Sequence, residues 1–269
     1  MELIECAEAF LPDPTGELAF HHTTFILHDK TTNRHFWTWL RGPDKVIEFW
    51  GLPSVDPKVW EDLELIEIPR CKFQPLFDPT FAKAPDPLPS NSYIKRPSLL
   101  GVYNVENVVK GLDETTTDEA DLVLQELRVC EILMKHPHPN IAQYLGAVVE
   151  KDRVAGLCFV KYGKTLHQLV HSGLPFDRHA IFVGIEKGIK HLHDLGLVHN
   201  DINSSNIMVD DKGNAVIIDF DSCRPEGETM GIKNGSPGWS LEDMTHAKRE
   251  NDEYGLERMR KFLEGWLHE

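Results

Sequence analysis

Between residues 20 and 50, apolar and aromatic positions alternate with polar ones in three runs, FHHTTFILHDK, NRHFWTWLRG and KVIEFWG, with turn residues between them. A period of two puts successive side chains on opposite faces of a strand, so the imperfect alternation predicts a half-buried sheet. Residues 73–92, FQPLFDPTFAKAPDPLPSNS, carry five prolines. Proline fixes φ and removes a backbone donor, which predicts a linker or an irregular flap there.

From about residue 93 the pattern changes. SYIKRP and ENVVKG read as short strands. In DEADLVLQELRVCEILMK, Val123, Leu127, Cys130 and Met134 recur at helical spacing and form one apolar stripe. Glu126 falls inside that stripe, where a carboxylate is costly unless it meets a cation; a rim position at the stripe's edge is the alternative. GLCFVKY reads as a buried strand ending in a polar turn. DRHAIFVGIEKGIKHLHDLG reads as a second amphipathic helix with Asp177 as N-cap and Gly196 as its stop. SNIMVDDKGNAVIIDF reads as two strands joined by a DKGN turn.

Charge and composition narrow the function classes. A length of 269 residues allows one large domain or two small ones, and a net charge of −15 argues against general nucleic-acid or anionic-membrane binding. A nucleotide remains open to such a chain, because a few cations and a metal ion suffice for phosphates. The five cysteines, Cys6, Cys71, Cys130, Cys158 and Cys223, form no CxxC pair and imply neither a zinc site nor a disulfide framework. His21, His22, His28 and His35 sit in strand-like runs, where surface or packing roles outnumber metal ligation. No basic region followed by an apolar stretch opens the chain, and no apolar run reaches 18 residues. The expectation is an intracellular protein, cytoplasmic or nuclear.

The decisive stretch is VHNDINSSNIMVDDKGNAVIIDFDSC, residues 198–223. It puts Asp201 in the loop after the long helix, Asn206 five positions on, and Asp219 at the end of the next hairpin. Phosphoryl transfer needs a carboxylate to orient or deprotonate the acceptor hydroxyl, and oxygen ligands to hold Mg²⁺ against phosphates. A hairpin returns its end to its start, so Asn206 and Asp219 can reach one ion. Turn-capping is the bland alternative for any one of these residues, but the whole pattern is too specific for it.

HNDINSSN and DFD resemble the catalytic loop and the metal-binding DFG motif of protein kinases. KHPHPNIAQYLGA is similar to the segment after their regulatory helix, and FVKYGKTLHQLV to the hinge between their lobes. GSPGW resembles the end of an activation segment, and NDEYGL the start of the central C-lobe helix. The likeness covers about residues 93–260. YIKRPSL, CEILMKHPHPNIAQYLG, GLCFVKY, HNDIN and IIDFDSC together most resemble an uncharacterised group of kinase-like proteins from mushroom-forming fungi.

The resemblance implies an α+β fold: a two-lobed protein-kinase-like structure with a C-lobe truncated after the central helix and an N-terminal β-rich extension. Its parts would be the extension at 1–72, the Pro-rich linker at 73–92, the small lobe at 93–163 and the truncated large lobe at 164–269. It implies ATP and Mg²⁺ as cofactors, a protein substrate or partner, and neither nucleic acid nor membrane. Asp201 would be the catalytic base, Asn206 and Asp219 the Mg²⁺ ligands, and Glu126 the partner of the phosphate-holding lysine. His199 and Asp252 would be structural. That lysine is open between two positions: Lys110, 16 residues before Glu126, has the usual spacing, whereas the fungal likeness favours Lys95, 31 residues before it.

Four departures stand out. No GxG occurs in the chain, and the GKT at Gly163 is not a P-loop because the first glycine of that motif falls on Cys158. Asn203 stands where the catalytic-loop lysine of kinases neutralises the transferring phosphate. Asn200 replaces the arginine of HRD, which implies no dependence on activation-loop phosphorylation. Leu241-Glu242-Asp243 takes the APE-like position, and the chain ends about 17 residues after Asp252. Three functional readings follow: a Ser/Thr protein kinase, a small-molecule kinase of the choline or aminoglycoside type, and a pseudokinase that binds without turnover. HPHPNI, GSPGW and NDEYGL favour the first; Asn203 and the missing glycine loop motivate the last.

Overall fold

The first two of the runs expected between residues 20 and 50 become β2 and β3 of a four-stranded antiparallel sheet in the order β1-β2-β3-β4: β1 (Glu2–Pro12), β2 (Leu18–Asp29), β3 (Arg34–Leu40) and β4 (Ile66–Ile68). The computed structural model describes residues 1–41, 63–103, 105, 119–231, 235–241 and 244–266. They divide into two units, Met1–Leu76 with Pro97–Asp121, and Phe77–Arg96 with Leu122–Glu269. The KVIEFWG and ENVVKG runs, Lys110, Glu242 and Asp243 lie outside the described residues.

In the first unit the chain turns on Asp13, whose Oδ1 accepts from Thr15 N at 2.8 Å and Glu17 N at 3.0 Å, with Gly16 at φ +88°. Such Asx turns fix a hairpin locally. The sheet is covered on both faces at its centre, not on one: Thr23 to Leu27 are all buried. Alternation explains this, since Ile26 packs with Trp37, Ile68 and Phe73, while Phe25 and Leu27 point the other way onto Leu3, Phe36 and Leu63. Strand β1, broken up by Glu2, Glu5 and Glu8, was not evident from hydrophobicity. His28 and His35 stack across the β2–β3 pair with centroids 4.6 Å apart.

The second unit carries a three-stranded sheet in the order β5-β7-β6: β5 (Ser92–Lys95), β6 (Tyr144–Glu150) and β7 (Arg153–Val160). Helix α1 (Glu119–Lys135) buries Val123, Leu127, Cys130 and Leu133 in the same core, with Met134 partly covered beside them. The proline-rich stretch is irregular but fixed. Ala84 N donates to Ala147 O, Ala147 N donates to Ala82 O, both at 2.8 Å, and Ala82 N donates to Glu131 Oε1 at 2.8 Å.

A short strand β8 (Lys164–Thr165) leads through a Thr165–Gln168 capping box into α2 (Leu166–His171). Helix α3 (Arg178–Asp194) follows, capped as the sequence predicts: Asp177 Oδ1 accepts from Ala180 N at 2.9 Å, and Gly196 leaves the helix at φ +71°. Its buried stripe includes two glycines. A Cβ on Gly188 would lie 2.7 Å from Ile217 Cδ1 and 2.9 Å from Asn140 O. Glycine there lets the 138–142 segment and β11 (Ala215–Ile217) close onto the helix, where a methyl would overpack. Strands β10 (Ile207–Val209) and β11 form the predicted hairpin, β9 (Leu197–Val198) pairs with β12 (Arg224–Pro225), and α4 (Arg249–Glu264) packs on α3.

Candidate active site

The site grows from three places in the second unit: strand β5, helix α1, and the loops at either end of the β10–β11 hairpin. Lys95 ends β5 opposite Leu157. Its ammonium donates to Glu126 Oε1 at 2.7 Å and Oε2 at 2.8 Å, and to Asp219 Oδ1; Asp221 Oδ2 lies 3.9 Å away. Glu126 is 4% exposed and also accepts from Phe220 N at 3.3 Å, so the carboxylate in the apolar stripe has found its cation and is no rim residue. Burial alone pushes the Lys95 ammonium toward neutrality, but Glu126, Asp219 and Asp221 outweigh it and raise its pKa above the ordinary lysine value. Lys95 is thus a fixed positive charge. Lys110 cannot be compared with it, lying outside the described residues.

Asp219 takes a left-handed φ of +64°, which Asp tolerates better than most side chains. The preceding Ile218 N donates to Asn206 O at 3.0 Å, so the hairpin brings the backbone at Asn206 beside that leading to Asp219. Asn206 directs its amide hydrogens to Asp201 O and Asp201 Oδ2, both at 3.0 Å. Its Oδ1 is then the atom left for a cation. Asp201 Oδ1 accepts from Asn203 Nδ2 at 3.1 Å and from Ser236 N at 2.8 Å. The structure thus gathers Lys95, Glu126 and Asp219 into one charged cluster, and Asp201 with Asn206 into a hydrogen-bonded pair.

The loop that carries Asp201 is braced from below. Asp252, fully buried in α4, accepts from His199 N at 3.0 Å, Asn200 N at 2.7 Å and His193 Nε2 at 2.8 Å. His199 Nε2 donates to Ile218 O at 3.0 Å, which leaves Nδ1 to accept from Asp201 N at 3.3 Å. This tautomer clamps the loop to the residue before Asp219. Asn200 sits at φ +68° and donates to Val198 O and Ser222 O, while its Oδ1 accepts from Asn251 Nδ2 at 2.8 Å. Asn203 brings no charge to Asp201. Its Oδ1 accepts from Ser205 N and Asn206 N and holds the turn.

Sequence reasoning missed Ser236, Asn251 and Asp221 as members of this network. The GSPGW, NDEYGL and DFD motifs contain them without giving them a role; the partners of Asn251 and Asp221, Asn200 and Lys95, are 51 and 126 positions away in sequence. Burial pushes the Cys130 and Cys223 thiols up, which makes them inert core residues.

Beside the cluster lies a cleft of about 410 Å³ lined by Tyr93, Lys95, Phe159, Met208, Ile218 and Asp219 among others. Its largely apolar lining, with Lys95, Lys161 and Asp219 as the charged members, suits a planar base with phosphates attached. Among the described residues no three His, Cys, Asp or Glu converge as a metal cage. The amide oxygen of Asn206 and the carboxylate of Asp219 are hard donors of the kind Mg²⁺ uses when phosphates complete its shell. No helix among the described residues is long and apolar enough to cross a membrane.

The protein kinase domain family matches residues 103–240, half of the chain, and its match begins past Lys95. The mitogen-activated protein kinase kinase kinase ANP1 of Arabidopsis thaliana is 31% identical over 144 residues, 50% of this chain and 22% of its own length. Serine/threonine-protein kinase PSK1 of Saccharomyces cerevisiae is 38% identical over 105 residues, 36% of this chain and 8% of its own. Serine/threonine-protein kinase shk2 of Schizosaccharomyces pombe is 28% identical over 128 residues, 46% of this chain and 21% of its own. The aligned stretch is about a fifth of these relatives' length or less.

Proposed function

The chain belongs to the protein kinase domain family, and from that premise we propose that it is an ATP-dependent phosphotransferase acting on Ser or Thr hydroxyls of protein. The observation that carries this is the convergence of Lys95, Glu126 and Asp219 beside an apolar cleft. Lys95 is the phosphate-holding lysine, kept charged by its carboxylates. Asn206 and Asp219 are the Mg²⁺ ligands. Bound Mg²⁺-ATP supplies the phosphoryl group and most of the charge neutralisation. Asp201 takes the proton of the acceptor hydroxyl, its carboxylate oriented by Asn203, Asn206 and Ser236 N. The names of the relatives and the HPHPNI, GSPGW and NDEYGL motifs support a protein acceptor over a small alcohol. The motif set that includes YIKRPSL and IIDFDSC supports a place near the kinase-like proteins of mushroom-forming fungi, and an intracellular setting accords with these relatives.

Asn203 favours a second reading, a pseudokinase that binds nucleotide without turnover. Its neutral amide is committed to turn and base, so the positive charge that steadies a transferring phosphoryl group is missing from that position.

Mg²⁺-ATP binding tests the shared premise. A ligand that binds only the native state raises the melting temperature by mass action, so millimolar nucleotide reveals even weak binding. The expected result is a Mg²⁺-dependent rise in the wild type that Asp219→Ala abolishes. No rise in either protein would remove the phosphotransferase and leave only a pseudokinase that binds partners and no nucleotide.

A further inference from the structure

On the reading that the cleft takes Mg²⁺-ATP, we infer that Tyr93 is the stacking platform for the nucleotide base. Three observations converge on it. Tyr93 lies two residues before Lys95 in β5, so both side chains leave the same face of the strand. Its ring lines the same cleft as the Lys95 ammonium, together with Phe159, Met208 and Ile218. It is also 55% exposed, while its register partner across β7, Phe159, is 7% exposed. A large aromatic left open beside an apolar slot keeps apolar surface in water, and a planar ligand stacked on it would bury that surface.

The phosphate end of the slot strengthens the case. Among the described residues, one ammonium faces Glu126, Asp219 and Asp221, and Lys161 is the other cation lining the slot, so an incoming triphosphate meets little net positive charge there. No GxG loop is present in the sequence to add backbone N–H donors over the phosphates. More of the affinity must then come from the base. Stacking is indifferent to base identity, since every base presents a π face. ATP and GTP should therefore bind with similar strength.

The test measures dissociation constants on the full chain for Mg²⁺-ATP, Mg²⁺-GTP and Mg²⁺-tripolyphosphate, which lacks the base, with the wild type, Tyr93→Ala and Tyr93→Phe. Tyr93→Ala should weaken both nucleotides about tenfold and leave tripolyphosphate unchanged, whereas Tyr93→Phe, which keeps the ring, should stay within about twofold of the wild type. The exposed position predicts an unchanged melting temperature without ligand. Wild-type binding of Mg²⁺-ATP that Tyr93→Ala leaves intact or tightens would overturn the stacking role alone. A wild type that binds no nucleotide would overturn the nucleotide reading, and the stacking role with it.

Discussion

At the scale of single residues, the site depends on which polar groups have found partners. Glu126 is tolerable in the core because Lys95 and Phe220 N meet it, and Lys95 remains charged because three carboxylates surround it. Asn203 shows the opposite trade: a neutral side chain that stabilises the loop where kinases carry a charge. The sequence pointed to Asp201, Asn206 and Asp219 as candidates because their spacing is local. It left the lysine open between Lys95 and Lys110, since spacing along the chain does not measure distance in space. A different titration is expected in the first unit. Burial first, then His21 and Arg41, holds the His22 imidazole below its ordinary value, and its ring nitrogen lies 2.8 Å from that of His21. The unfolded chain therefore binds more protons, so His22 costs stability as pH falls below about 6.5. The melting temperature should drop between pH 7 and pH 5, and drop less in His22→Gln; an equal drop in both would refute this role.

At the scale of elements, α1 and α3 were readable because a 3.6-residue period survives in their buried faces, and Asp177 and Gly196 mark the ends of α3 by local chemistry. What escaped was pairing carried by backbone atoms. The proline-rich stretch docks on β6 through main-chain bonds at Ala82, Ala84 and Ala147, and side-chain patterns do not encode that. Strand β1 escaped because its glutamates interrupt the apolar signal. Asp252 ties α4 to the 199–201 loop, beside a second bond from Asn251 to Asn200. Asp252→Ala would leave two buried N–H groups and the His193 ring without their acceptor, at roughly 1–3 kcal/mol for each orphaned group before relaxation. Urea unfolding should show a loss of at least about 2 kcal/mol. A loss within about 0.5 kcal/mol, the usual size of a surface change, would contradict this bracing role.

At the scale of the whole molecule, the candidate chemistry lies in one of two units, and the four strands β1 to β4 fall outside the family match at residues 103–240. Lys95 also precedes that match, which is why the family pattern alone did not single it out. The net charge of −15 and the three carboxylates around Lys95 make metal-bound nucleotide the expected ligand, with free ATP bound far more weakly.

Phosphate transfer decides whether the site turns over. The wild type and Asp201→Ala would each be incubated with Mg²⁺ and γ-labelled ATP in the presence of a generic Ser/Thr-containing protein such as casein. The account predicts label on the protein with the wild type, reduced at least about a hundredfold by Asp201→Ala, as expected for loss of a general base. Label that persists in Asp201→Ala, or a wild type that binds Mg²⁺-ATP and transfers nothing, would contradict it.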